Sequence, residues 1–106
     1  MPDTPRATQA QQTVTIINVK GLHARASAAL SKVASDFDAE VHVSHRGLSA
    51  NARSIMDLLL LAAAKGSRIE LSAKGPEAAE AVTAVASLVA HGFGESDVPT
   101  PPGGAP

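Results

Sequence analysis

The sequence contains no cysteine, tryptophan or tyrosine, and its only aromatics are Phe37 and Phe93. Without cysteine there is no disulfide scaffold, thiolate zinc site or sulfur nucleophile. Two phenylalanines do not make a platform on which bases of a single strand could stack. Charge of one sign is also missing. Nine lysines and arginines face ten aspartates and glutamates, which leaves no basic surplus to neutralise a nucleic-acid backbone. The longest apolar run, Leu58 to Ala64, is seven residues, far below the roughly 20 that cross a bilayer as a helix. Residues 1–12 are polar and carry no apolar stretch of the kind a secretory signal uses, so the expected compartment is the cytoplasm. No His-x₃-His or His-Glu-x-x-His spacing occurs, so no metal is expected. There is also no Walker loop, GxGxxG or Gly-x-Ser-x-Gly elbow.

What remains is 106 residues, 44% of them hydrophobic and 18% charged, the balance and size of one globular domain. Six of the seven prolines lie outside residues 13–95. Residues 1–12 and 96–106 lack apolar periodicity and read as disordered tails around a folded unit spanning 13–95.

Within that unit the hydrophobic period alternates between two and about 3.6. Val14 to Val19, Val41 with Val43, Leu48 to Ala52, and Ile69 with Leu71 read as strands. Ala26, Leu30, Val33, Ala34 and Phe37 make one face of a helix over Ala24 to about Ser35. Ser54 opens a short helix expected to stop at Lys65-Gly66, with Gly66 just past its end. Gly75-Pro76 starts a last helix whose face is Ala78, Ala81, Val82, Val85, Leu88 and Val89, closed by Gly92. The order β-α-β-β-α-β-α with amphipathic helices predicts a two-layer α+β sandwich, one sheet face covered and the other toward water.

Two places could carry chemistry. Gly21-Leu22-His23-Ala24-Arg25 falls at a strand-to-helix junction. There the backbone N–H groups of Ala24, Arg25 and Ala26 lack intrahelical partners, and the positive end of the helix dipole favours an anion by about 0.3–1 kcal/mol, or about 2 when partly buried. Arg25 adds a planar donor fork suited to phosphate. An imidazole is a competent nucleophile near neutral pH. His23 thus has the surroundings of a phosphoryl acceptor, although a surface histidine beside a helix start has the same local pattern. The second place is Ser54, which with Asp57 fits a capping box. A cap there stabilises the helix by about 1 kcal/mol without any regulation. A phosphate on Ser54 would meet the same positive helix end and add charge to the surface beside it. On the short helix, Leu58, Leu61 and Ala62 cluster on one side and Ile55, Met56 and Leu59 on another. A helix apolar on two sides is either buried all round or docks a partner.

The sequence resembles the HPr family of phosphocarriers of the phosphoenolpyruvate-dependent phosphotransferase system. The resemblance runs from Thr13 to Glu95. It rests on Gly21-Leu22-His23-Ala24-Arg25, Asn51-Ala52-Arg53-Ser54-Ile55-Met56, Gly66-x-x-Ile69 and the closing Gly92-Phe93-Gly94-Glu95. It implies an open-faced β-sandwich with a four-stranded antiparallel sheet in the order 1-4-2-3 and three helices on one face. It implies that His23 takes a phosphoryl group on Nδ1 from phosphorylated Enzyme I and passes it to an EIIA-type protein, with Arg25 assisting and the amides of Ala24, Arg25 and Ala26 cradling the phosphate. Ser54 would match the serine that HPr kinase/phosphorylase modifies, and Leu22, Ile55, Met56 and Leu59 would form the docking surface. No cofactor is implied, because the phosphoryl group derives from phosphoenolpyruvate through Enzyme I. The expected partners are proteins, not nucleic acid or membrane, and the expected state is a monomeric stoichiometric carrier rather than an enzyme. The family commonly has proline directly after the arginine; here it is Ala26, which restores an N–H and is a strong helix former. Asp38-Ala39-Glu40-Val41, Ala64-Lys65-Gly66 and Gly75-Pro76-Glu77 resemble the nitrogen-branch paralogue NPr, and the alanine after the arginine resembles HPr proteins of alphaproteobacteria. Such proteins usually regulate and do not feed sugar import. A regulatory binding module controlled through Ser54, with His23 idle, is the alternative. A small RNA-binding α+β domain is disfavoured by the charge and the scarcity of aromatics.

Overall fold

In a computed structural model of the chain, residues 8–95 are described. The expected tail of residues 96–106 lies outside them, as do residues 1–7. The elements are β1 (Gln9–Thr15), α1 (Ala24–Ser35), β2 (Glu40–His45), β3 (Leu48–Asn51), α2 (Ile55–Leu60), β4 (Arg68–Lys74) and α3 (Ala78–Ala90), followed by a 3-10 turn over Gly92–Gly94. The sheet order is β1-β4-β2-β3 and every pairing is antiparallel. Among the described residues no helix is long and apolar enough to cross a membrane.

Period-two alternation sorts the sheet into two faces. Val41 and Val43 of β2, Ala50 of β3, and Ile69, Leu71 and Ala73 of β4 are buried. Their register, Val43 opposite both Ala50 and Leu71, brings them into one layer. Between them Gln11, Ser72, His42 and Asn51 share a row on the opposite face. The covering layer comes from helical period. Ala26, Leu30 and Ala34 of α1 and Ala78, Ala81, Val82, Val85 and Val89 of α3 are buried. α3 lies along β1 and β4, α1 packs on α3, and α2 bridges α1 and β3.

Three boundaries differ from expectation. The first strand runs Gln9–Thr15, not Val14 to Val19, so the folded unit extends into the expected tail of residues 1–12. Gln9 to Gln12 pair with Leu71 to Lys74, and Thr8 accepts a hydrogen bond from the Gly75 amide. Backbone pairing on an edge strand needs no apolar side chains, so this polar segment gave no signal. Beyond Thr15, Ile16 still exchanges backbone bonds with Gly66 and Ser67, but Val19 is exposed in the following loop. α2 ends at Leu60, well before Gly66. Ala62 takes a left-handed conformation (φ 50°), and the carbonyl of Ala63 accepts from the Leu22 amide at 2.9 Å. A tertiary hydrogen bond, not the glycine, terminates this helix. Finally, α3 begins at Ala78, with Glu77 as its N-cap, two residues after Pro76.

Candidate functional site

The loop between β1 and α1 is held from three sides. The Asn18 side chain, fully buried, donates from Nδ2 to the Gly21 carbonyl at 2.8 Å. The buried Ser27 hydroxyl donates to the Leu22 carbonyl at 3.1 Å. The third tie is the bond from the Leu22 amide to Ala63. Gly21 lies in the left-handed region (φ 62°), and a Cβ there would stand 2.4 Å from the Ala63 carbonyl oxygen. Only glycine fits this close approach.

This frame puts His23 at the N-cap of α1 in an extended conformation (φ −77°, ψ −176°), with its side chain making no capping bond. The first helical bond runs from the Ser27 amide to the His23 carbonyl at 2.8 Å. The amides of Ala24, Arg25 and Ala26 therefore have no partner within the helix. No acidic residue occupies the first turn. The contrast with α2 is direct: Ser54 caps that helix, its Oγ accepting from the Asp57 amide at 3.2 Å. Only half of the expected capping box forms, because the Ser54 amide donates to the Asn51 carbonyl instead.

Around His23 lie Lys20, Arg25, Phe93, Gly94 and Glu95, which line an open depression. The His23 side chain is 25% exposed, and its Nε2 meets Oε2 of Glu95 at 2.5 Å. The other carboxylate oxygen, Oε1, accepts from Asn18 Nδ2 at 3.0 Å. Burial pushes the Glu95 carboxyl up, but the hydrogen bonds from His23 and Asn18, with the charges of His23 and Lys20, outweigh it and hold it below its ordinary value of 4.5. A depressed carboxyl contributes stability that is present above about pH 4.5 and lost as the pH falls through the lowered value. Glu95→Gln is thus expected to be less stable than the wild type at neutral pH, with the gap closing as the pH falls through the lowered value. Urea titrations across that range check this, and a gap independent of pH would contradict it.

Sequence reasoning placed His23, Arg25 and the three amides in one site, and the structure brings them together there. It did not single out Asn18, Ser27 or Lys20, and Glu95 figured only as the end of the closing Gly92-Phe93-Gly94-Glu95 segment, with no role at the site. Glu95 is 72 positions from His23, and no spacing rule links them. The chain returns through the 3-10 turn, where Phe93 adopts a left-handed backbone (φ 58°). Of the expected docking residues, Ile55 and Met56 are exposed (40% and 68%) and Leu59 is half-buried. Leu22 is not part of that surface. It is 4% exposed and belongs to the core, because its amide is tied to Ala63 and its side chain turns inward. Leu60, 72% exposed, was missed. It stands four residues after Met56 on the same helix side, a spacing that could have revealed it.

The family model described as the PTS HPr component phosphorylation site matches residues 10–91. The chain belongs to the HPr family. Phosphocarrier protein HPr of Cupriavidus necator is 45% identical over 87 residues, covering 82% of this chain and 98% of the relative. Phosphocarrier protein NPr of Escherichia coli K12 is 44% identical over 86 residues, covering 80% and 96%. Among solved structures, HPr-C-His from Thermoanaerobacter tengcongensis superposes with a TM-score of 0.79 at 36% identity, covering 82% of this chain and 98% of that one. The HPr-like sandwich expected from the sequence is thus the observed fold, and its family is one of phosphocarriers of the phosphotransferase system. Relatives named HPr and NPr are almost equally similar, so identity alone does not divide the two branches.

Proposed function

We propose that this protein is a stoichiometric phosphoryl carrier. Nδ1 of His23 accepts the group from phosphorylated Enzyme I and yields it to an EIIA-type protein. The observation that carries this reading is the uncapped N-terminus of α1 behind His23, beside Arg25 and Lys20. A tetrahedral dianion on the imidazole would meet unpaired amides, the positive helix end and two cations. Catalysis in such a transfer is mostly positioning and charge stabilisation. The helix contribution, about 1–2 kcal/mol, amounts to about tenfold in an equilibrium. A carrier needs a hold this modest, since the phosphate has to leave.

Ile55, Met56 and Leu60, with Leu59 partly exposed, serve as the apolar surface on which partners dock. Ser54, at the head of the same helix, is the site where an HPr kinase/phosphorylase would add regulatory charge. Resemblance to NPr in three segments supports a regulatory, nitrogen-related branch over sugar uptake. The protein acts as a monomer in the cytoplasm.

The test is a relay. Phosphoenolpyruvate and Enzyme I should load the protein, and addition of an EIIA-type protein should unload it with matching gain of phosphate. Failure to load, with an Enzyme I active on another carrier, would refute the reading. Met56→Glu should leave the helix cap and melting point nearly unchanged and slow loading about tenfold or more, the effect of a desolvated charge at a docking centre. Unchanged loading kinetics would remove α2 from the docking surface.

A further inference from the structure

Imidazole has two nitrogens, and only the one without a proton is a nucleophile. Which nitrogen that is depends on what the other one bonds. Glu95 is held below the ordinary carboxylate range, so near neutral pH it is an anion and can only accept. Its neighbour at Oε2, His23 Nε2, must therefore carry the proton. The carboxylate cannot easily swing away, because Asn18 grips its other oxygen while also donating to Gly21. Asn18 is fully buried, and both of its Nδ2 contacts are acceptors, which fixes the amide's orientation. The arrangement joins three parts of the chain: the β1–α1 loop, the start of α1 and the residue after the C-terminal turn.

We propose that Asn18 and Glu95 are positioning residues that keep a proton on Nε2 of His23, and so both select Nδ1 as the nucleophile and keep the phosphoryl group transferable. This rests on the carrier reading above. In loading, the Nδ1 lone pair forms the N–P bond while the donor's bond to phosphorus breaks and its electron pair stays with the donor. The ring, still protonated at Nε2, becomes an imidazolium paired with the Glu95 carboxylate. In unloading, the acceptor's lone pair attacks phosphorus, the Nδ1–P pair returns to the ring, and neutral imidazole leaves. Without the Nε2 proton the leaving group would be an imidazolate, a far poorer one. Among the described residues the charged groups lining the depression around the ring are Lys20, Arg25 and Glu95. Of these only Glu95 contacts Nε2 with an acceptor.

The experiment uses the full chain labelled with ¹⁵N-histidine, as wild type, Glu95→Gln and Glu95→Ala. Ring nitrogen shifts of the unphosphorylated protein at about pH 8, where a histidine is mostly neutral, report the tautomer. The wild type should be in the Nε2–H form, Glu95→Gln should retain it through its amide oxygen, and Glu95→Ala should drift toward the mixture of a free side chain. Each protein is then loaded, and unloading to the acceptor is followed against pH. Both variants should unload about tenfold more slowly than the wild type at about pH 8 and match it at about pH 5.5, where solvent supplies the proton. A merely structural role would slow unloading equally at both pH values. That outcome, an Nδ1–H wild type, or Glu95→Ala indistinguishable from wild type in tautomer and profile would overturn the proposal. A wild type in the Nε2–H form that accepts no phosphate would overturn the carrier reading and the transfer half of this one, while leaving the tautomer assignment standing.

Discussion

His23→Ala is expected to lose all detectable phosphate acceptance from Enzyme I while keeping its fold. Among the described residues, the depression around His23 holds no other imidazole, thiol or hydroxyl, and Glu95 is tied to Asn18. The side chain removed is a quarter exposed and, among the described residues, makes one side-chain hydrogen bond, with Glu95. Partly exposed ion pairs contribute about 0–1 kcal/mol, so the melting temperature should fall by no more than about 4–8 °C. The α1 backbone bond from Ser27 to residue 23 survives, since it needs only the carbonyl. Phosphate incorporation and thermal melting measured side by side check this. Retained phosphorylation at wild-type levels would move the acceptor elsewhere.

Gly21→Ala should do the converse and damage the fold first. The left-handed backbone costs an alanine about 1 kcal/mol. Its Cβ would also stand 2.4 Å from the Ala63 carbonyl oxygen and 2.9 Å from the Ala64 Cα, and neither is a side chain that can rotate away. The clash falls on the bond that joins the His23 loop to the end of α2. Together these should cost about 2–4 kcal/mol, or about 10–25 °C in melting temperature for a domain of this size. Gly47→Ala is the control. Gly47 also has a positive φ (82°), but nothing lies within 4 Å of a Cβ there, so it should lose only about 1 kcal/mol. Equal melting of the two variants would mean that the loop relaxes freely, and that Gly21 does not fix His23.

The contrast between these glycines shows where sequence reasoning stops. The helix start at Ala24 and the Ser54 cap are local signals, and each is found where the pattern placed it. The buried faces of α1, α3, β2 and β4 follow from periodicity because burial acts on side chains that repeat at fixed intervals. Tertiary backbone bonds escaped. The polar strand from Gln9, the early end of α2 and the inward turn of Leu22 each depend on a backbone group whose partner is far along the chain. The site divides the same way. His23, Arg25 and the helix amides are neighbours in sequence. Asn18 and Glu95 are chosen by the fold, and only the return of the chain after α3 brings the carboxylate to the ring.

The central claim is a phosphoryl group carried on an imidazole nitrogen, and the chemical stability of the loaded protein tests it most directly. After reaction with phosphoenolpyruvate and Enzyme I, the bound phosphate should be lost rapidly in acid, survive alkali, and map to the peptide containing His23. A phosphate that survives acid, or one that maps to Ser54 alone, would contradict the account.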